Sequence, residues 1–291
     1  MVEASALVED GIVVDSHDAG RRVPWWSFSK TVLAAASLVL VRDGLVALDT
    51  PVGDKPYTLR HLLQHRSGLP DYGGLHAYHE AVGRGDAPWP ITDLLERIDS
   101  DRLRDTPGEG WDYSNIGYRQ VGELIETLTG MKLNAALQRL VLEPLGIGRV
   151  FMARSPSDLA NVAMGEAKNY HPGWVYHGLL IGSVQDAALL LDRLLKGHLI
   201  PADAVQDMLS AHVLPGPVPG RPWQSPGYGL GVMAGETTMG LKVAGHTGGG
   251  PGSTIAVYRR TDGERDRTAA FFRTDEDPAG TEERTFELLS L

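Results

Sequence analysis

The hydrophobic period changes twice along this chain, and that limits its fold more than any other feature. Ala4 to Glu9 and Ile12 to Ser16 are β-prone runs joined at Asp10-Gly11, a favoured two-residue hairpin turn. From Ser27 to Arg42 the pattern becomes a helix that is apolar nearly all round, stopped by Asp43-Gly44. A helix without a polar face is a buried one. Helical spacing recurs at Leu59–Gln64, Ile91–Asp99, Ile116–Leu128, Leu133–Leu142 and Val184–Leu195. Between these lie loops rich in proline and glycine, notably Pro70–Pro90 and Val213–Gly227. The period then returns to two in Tyr228–Ala234, Leu241–Gly245, Thr254–Arg260 and Thr268–Thr274, before a last helix over Thr281–Leu291. Asp262-Gly263-Glu264 reads as a turn between two of these strands. Strands at both ends with helices between them predict an α/β (α+β) fold. One antiparallel sheet is assembled from the two termini and flanked by helices, and an all-helical lobe is inserted. Residues 1–50 and 225–291 are expected in the sheet lobe and residues 51–224 in the helical lobe. The default site is the cleft between them.

Composition removes several classes of function. With 27 Lys and Arg against 37 Asp and Glu the formal charge is −10. That sign repels phosphate backbones and anionic lipid, so neither nucleic acid nor a membrane surface is an expected partner. The absence of cysteine removes thiolate nucleophiles, thiolate metal sites and disulfides together. The first residues, Met1-Val2-Glu3-Ala4-Ser5, carry acid where a secretory leader carries base, so the expectation is a cytoplasmic protein.

The chemistry begins at Lys30, at the start of the buried helix. Burial of an ammonium lowers its pKa, because desolvation disfavours the charged form. Three residues earlier, on the same helical face, stands Ser27, so the sequence reads Ser27-Phe28-Ser29-Lys30. A serine at a helix N-terminus, one turn from an amine able to take its proton, is a workable nucleophile. Alone, S-x-x-K is common by chance, and the pair reads as a capping serine and a snorkelling lysine. Two further elements bear on it. Tyr113-Ser114-Asn115 stands at a loop-to-helix junction, where a phenol can move protons and an amide can bind a substrate. Gly245-His246-Thr247-Gly248-Gly249-Gly250 ends a strand, where glycines let a substrate backbone approach the strand edge.

These three elements in this order, S-x-x-K, Y-S-N and H-T-G, resemble the serine hydrolases related to class C β-lactamases, D-alanyl-D-alanine carboxypeptidases, D-aminopeptidases and certain esterases. Leu62–Pro70, Glu143-Pro144-Leu145-Gly146 and Tyr228-Gly229-Leu230-Gly231 add to the likeness, which runs from about Val23 to Asp275. The resemblance implies a penicillin-binding-protein-like fold, Ser27 as nucleophile, Lys30 as its activating partner and Tyr113 as the second member of a proton relay. It also implies that Asn115, His246 and Thr247 contact the substrate, and that the backbone N–H groups of Ser27 and Gly249 form the oxyanion hole. No cofactor or metal is implied. The expected partner is a small-molecule or short-peptide substrate: an ester, a D-amino-acid amide or a β-lactam. The alternative is a penicillin- or peptide-binding sensor of the same fold that acylates without turnover. The chain departs from the family in opening directly on its hairpin and in carrying histidine where most β-lactamases carry lysine. In the third element, that histidine is expected to hold positive charge beside an anionic substrate.

Other readings are weaker. His61 and His65 lie four apart, as zinc ligands can, but Leu62 stands where a zincin carries glutamate. His76, His79 and Glu80 read as a solvated rim within a loop. No G-x-S-x-G elbow occurs, and the glycines after His246 lack the Lys-Ser/Thr of a phosphate loop.

Overall fold

The structure, a computed structural model, describes residues 1–291 apart from Lys168 and Glu264. Strands β1 (Glu3–Glu9) and β2 (Ile12–His17) form the expected hairpin, with Asp10 and Gly11 both at positive φ in the turn. After the short β3 (Arg22–Pro24) and a 3₁₀ turn, Trp26–Phe28, comes α1 (Ser29–Arg42). The helical lobe holds α2 (Leu59–Leu63), α3 (His76–Arg84), α4 (Ile91–Arg97), α5 (Asn115–Thr129) and α6 (Leu133–Leu137). A π-helical turn, Gln138–Leu142, extends α6. Then follow β4 (Phe151–Ala153), β5 (Leu179–Ser183), α7 (Val184–Leu195), α8 (Ala202–Leu209), β6 (His212–Val213), β7 (Trp223–Tyr228), β8 (Met233–Thr237), β9 (Lys242–Gly250), β10 (Ser253–Arg260), β11 (Arg267–Arg273) and α9 (Pro278–Ser290).

The termini build one eight-stranded antiparallel sheet, in the order β2-β1-β11-β10-β9-β8-β7-β6, as the pattern predicts. A smaller sheet, β3-β5-β4, carries the chain toward Ser27. Every residue of α1 from Ser29 to Leu40 is buried, which accounts for a helix with no polar face. One face of the large sheet packs on α7 and shares its core with α1 and α5; the other packs under α9 through Trp223, Tyr258, Phe286 and Leu289. No described helix is long and apolar enough to cross a membrane.

Four local expectations are corrected. Tyr228–Ala234 is not a strand: Gly229–Val232 is a turn between β7 and β8. Gly231 there adopts φ +77°, and a Cβ on it would stand 2.3 Å from that of Ala34. Residues 76–84 of the supposed loop form α3. β7 starts inside the segment read as the second loop. Finally, α7 lies within residues 51–224 yet packs on β1, β10 and β11, so the sheet lobe draws on chain assigned to the helical lobe. In each case long-range packing decides what local pattern cannot. Of the turn read at Asp262–Glu264, Glu264 lies outside the described residues.

Candidate active site

Ser27 sits in the 3₁₀ turn just ahead of α1, not within it, held by strain and by clamps. Trp26, the residue before it, adopts φ +42°, a conformation that costs an L-residue on the order of 1–3 kcal/mol and persists only where surroundings enforce it. They do. Trp26 Nε1 donates to Ser253 Oγ at 3.1 Å, its ring meets Tyr170 edge-on, and Trp25 N–H donates to Leu180 O at 2.8 Å. On the other side β9 closes in: a Cβ on Gly248 would lie 2.7 Å from the Ser27 nitrogen.

Lys30, on the first turn of α1, is 0% exposed. Its Nζ lies 3.2 Å from Ser27 Oγ, 2.7 Å from Asn115 Oδ1 and 3.1 Å from His177 Nε2. Burial pushes its pKa down to about 7, opposed by the charge of Asp71. Near neutral pH a large share of this amine is therefore uncharged. Tyr113 packs beside it, with Nζ 4.9 Å from the ring centre. Burial raises the Tyr113 pKa well above its ordinary value, hydrogen bonding with Ser27 offsetting part of the rise, so the group stays a phenol.

Asn115 opens α5, whose N-cap is Ser114. Its Oδ1 accepts from Lys30, while its Nδ2 and backbone N–H donate to the two oxygens of Asp71 at 3.1 and 2.7 Å. The Asp71 carboxylate thereby fixes which way the Asn115 amide points. Sequence reading overlooked both Asp71 and His177, each a lone residue in a loop; the Leu62–Pro70 element, ending one residue before Asp71, was the only nearby signal.

A cavity of about 350 Å³ opens on this cluster. Ser27, Tyr113, Asn115, Asp71, His177 and Gly249 line it, with Trp26, Tyr72, Tyr78 and Tyr170 as aromatic walls and His79 of α3 at its border. His79 is exposed, as a rim residue is, but it stands on a helix and borders the cavity. Beyond Gly245 the β8 strand no longer pairs with β9, which leaves an edge of β9 beside the cavity.

The third element behaves differently from expectation. Neither His246 nor Thr247 is among the lining residues. Strand alternation turns Thr247 to the α9 face, where its hydroxyl donates to Glu282 at 2.5 Å and meets Tyr258 at 2.8 Å. Arg221 in turn pairs with Glu282. His246 is buried, with Nδ1 2.7 Å from the Thr247 carbonyl and Nε2 2.7 Å from the Tyr228 hydroxyl. The carbonyl can only accept, so Nδ1 carries the proton and Nε2 accepts from Tyr228. Burial, reinforced by Lys30, lowers the His246 pKa to about 3. The positive charge expected there is absent at neutral pH.

The two histidines offered as a zinc pair also part ways: His61 completes the Thr58 cap of α2, and buried His65 accepts from Ser114 N–H at Nδ1.

The model of the Beta-lactamase family matches residues 4–290. The chain belongs to the β-lactamase family. A D-aminopeptidase of Brucella anthropi is 26% identical over 314 residues, covering 98% of this chain and 58% of that protein. Esterase EstB of Burkholderia gladioli is 34% identical over 141 residues, 42% of this chain and 36% of its own. The chain thus spans about a third to three fifths of these curated relatives. Among solved structures, a D-stereospecific amidohydrolase from Streptomyces sp. is 26% identical, with a TM-score of 0.77 over 98% of this chain and 92% of that one. The D-amino acid amidase from Ochrobactrum anthropi SV3 shares the fold, with a TM-score of 0.83, at 21% identity and over 99% of this chain and 94% of that one.

Proposed function

We propose that this protein is a serine hydrolase that forms an acyl-enzyme at Ser27 and cleaves small amides or esters. The observation that carries the reading is the 3.2 Å contact between Ser27 Oγ and an amine held wholly out of water. The uncharged Lys30 takes the Ser27 proton as Oγ bonds to the substrate carbonyl carbon. The carbonyl π electrons move onto oxygen, facing the N–H groups of Ser27 and Gly249, a pairing whose single donors are worth about 10²–10³ in rate. Tyr113, a phenol at working pH, protonates the departing nitrogen or oxygen, and the proton that Lys30 took from Ser27 then restores the phenol. Water then attacks the acyl-enzyme by the reverse relay.

The cavity's chemistry narrows the substrate. Among its described lining residues there is no lysine or arginine, Asp71 is the acid, and His246 behind it is uncharged. A carboxylate finds no lysine or arginine lining the cavity, whereas an ammonium group faces Asp71 and aromatic walls. The reading therefore favours neutral esters and amides with a free amino group, such as D-amino-acid amides, over carboxylate-bearing β-lactams.

The test is a panel of a nitrophenyl ester, an unblocked D-amino-acid anilide, its N-succinyl counterpart and a chromogenic cephalosporin. Turnover of the first two is expected, with kcat/KM for the succinylated substrate lower by at least about tenfold, about 1.4 kcal/mol. Ser27→Ala abolishes all of it. Turnover surviving in Ser27→Ala overturns the nucleophile, and preference for the anionic substrates overturns the charge argument.

A further inference from the structure

His177 is a buried titratable group for which the reaction described above has no use. It stands between a 3₁₀ turn, Pro172–Trp174, and β5, two residues ahead of the strand that grips the serine turn. Leu180, three residues on, donates its N–H to Ser29 Oγ at 3.1 Å and accepts from Trp25 N–H. His177 is thus held in fixed register with both Ser27 and Lys30. It lines the cavity, is 3% exposed, and presents Nε2 to Lys30 Nζ at 3.1 Å while Nδ1 finds no partner among the described residues.

An uncharged amine has two N–H bonds and one lone pair, and Lys30 has three polar neighbours. Asn115 Oδ1 is an acceptor, its orientation fixed by Asp71, and so takes one N–H. The second N–H has two places to go. Directed at Ser27, it leaves the lone pair on His177, and Lys30 cannot accept the serine proton. Directed at His177 Nε2, it leaves the lone pair facing Ser27 Oγ–H. The tautomer of His177 decides between the two. With hydrogen on Nε2, the ring donates to the amine and consumes its lone pair; with hydrogen on Nδ1, Nε2 accepts.

We propose that His177 is a positioning residue for the nucleophile. As its Nδ1–H tautomer it accepts from Lys30 at Nε2 and, with Asn115, absorbs both amine N–H bonds, leaving the lone pair to Ser27. After proton transfer the same two acceptors and Ser27 Oγ hold the three N–H bonds of the new ammonium. Nothing need rotate during the step, which is preorganisation in its simplest form.

The proposal rests on Ser27 being the nucleophile, so the experiment separates the two. A fluorophosphonate serves as probe: Ser27 Oγ bonds to phosphorus, the P–F bond breaks with fluoride leaving, and the Oγ proton passes to Lys30. No leaving group needs a proton, so the rate isolates the Ser27–Lys30 step. Wild type is labelled on Ser27; failure of that labelling sinks the nucleophile itself. Given labelling, His177→Leu is expected to slow it by about 10–100-fold. His177→Gln, whose amide oxygen reaches the Nε2 position, recovers most of the loss, whereas His177→Asn, which mimics Nδ1, does not. Equal rates in wild type and His177→Leu, or a Gln variant as slow as Leu, overturn the proposal. A second measurement stands if a variant fails to fold. In ¹⁵N-histidine-labelled wild type, with the His177 signals identified by their loss in His177→Gln, Nδ1 is expected to bear the proton. A proton found on Nε2 contradicts the assignment.

Discussion

At the scale of the residue, one burial explains the site and also costs the fold. Lys30 is driven from an ordinary pKa of 10.5 to about 7 by desolvation, a difference worth about 5 kcal/mol in the free energy of charging. Between those two values the unfolded chain binds more protons than the folded one, so this contribution to stability rises with pH across that window. The penalty is fully present below pH 7 and gone above about pH 10.5. Lys30→Met removes it, at the expense of leaving the Asn115 and His177 acceptors unpaired, roughly 1–3 kcal/mol each. We expect Lys30→Met to be inactive and, near pH 6, more stable than wild type by about 1 kcal/mol. That advantage should shrink by about 4 kcal/mol by pH 10. Urea unfolding of both proteins at the two pH values measures it, and a difference that does not change with pH contradicts the burial account.

At the scale of the element, the site depends on how closely β9 passes the serine turn. A Cβ on Gly248 would lie 2.6 Å from Trp25 O and 2.7 Å from the Ser27 nitrogen, so Gly248→Ala has to move backbone on one side or the other. A Cβ on Gly249 points the opposite way, into ordinary contact with Thr254 at 3.9 Å. Because a 1 Å misplacement can cost about 10² in rate, Gly248→Ala should lower kcat by ten- to a hundredfold, and Gly249→Ala by much less. Comparable losses in the two would mean that β9 does not set the position of Ser27. The same strand shows what sequence can and cannot tell. Its glycines announce a close approach, but the period of two does not say which face is which, and Thr247, which the family resemblance places against the substrate, lies against Glu282. The hairpin and α1 were legible because their signals are local: a turn dipeptide and a helix with no polar side. Gly229–Val232 was not, because its apolar residues alternate as a strand's do while the φ of Gly231 follows from packing on Ala34. Asp71 and His177 escaped notice for a plainer reason. His177 meets Lys30 across 147 positions and Asp71 meets Asn115 across 44, distances over which no spacing rule reaches.

At the scale of the whole molecule, the sheet built from both termini and the helical lobe between them meet where Ser27, Lys30, Tyr113 and Asn115 converge from the 3₁₀ turn before α1, α1 itself, the loop before α5 and α5. The formal charge of −10 and the acid in the cavity act in the same direction, against anionic substrates. The titrations around the site are also well separated. His65 and His177 are held well below the usual histidine range by burial, then by Lys30; His246 is lowered to about 3; Tyr113 is raised. Among these neighbours Lys30 alone changes charge near neutrality. The most direct test of the account is therefore the pH dependence of Ser27 acylation by an uncharged probe, followed in wild type and Lys30→Met. The account predicts a rate that climbs through a single step near pH 7 and levels off above it, with both the step and most of the rate lost in Lys30→Met. A step that survives in Lys30→Met, or a wild-type rate still climbing above pH 9, would contradict it.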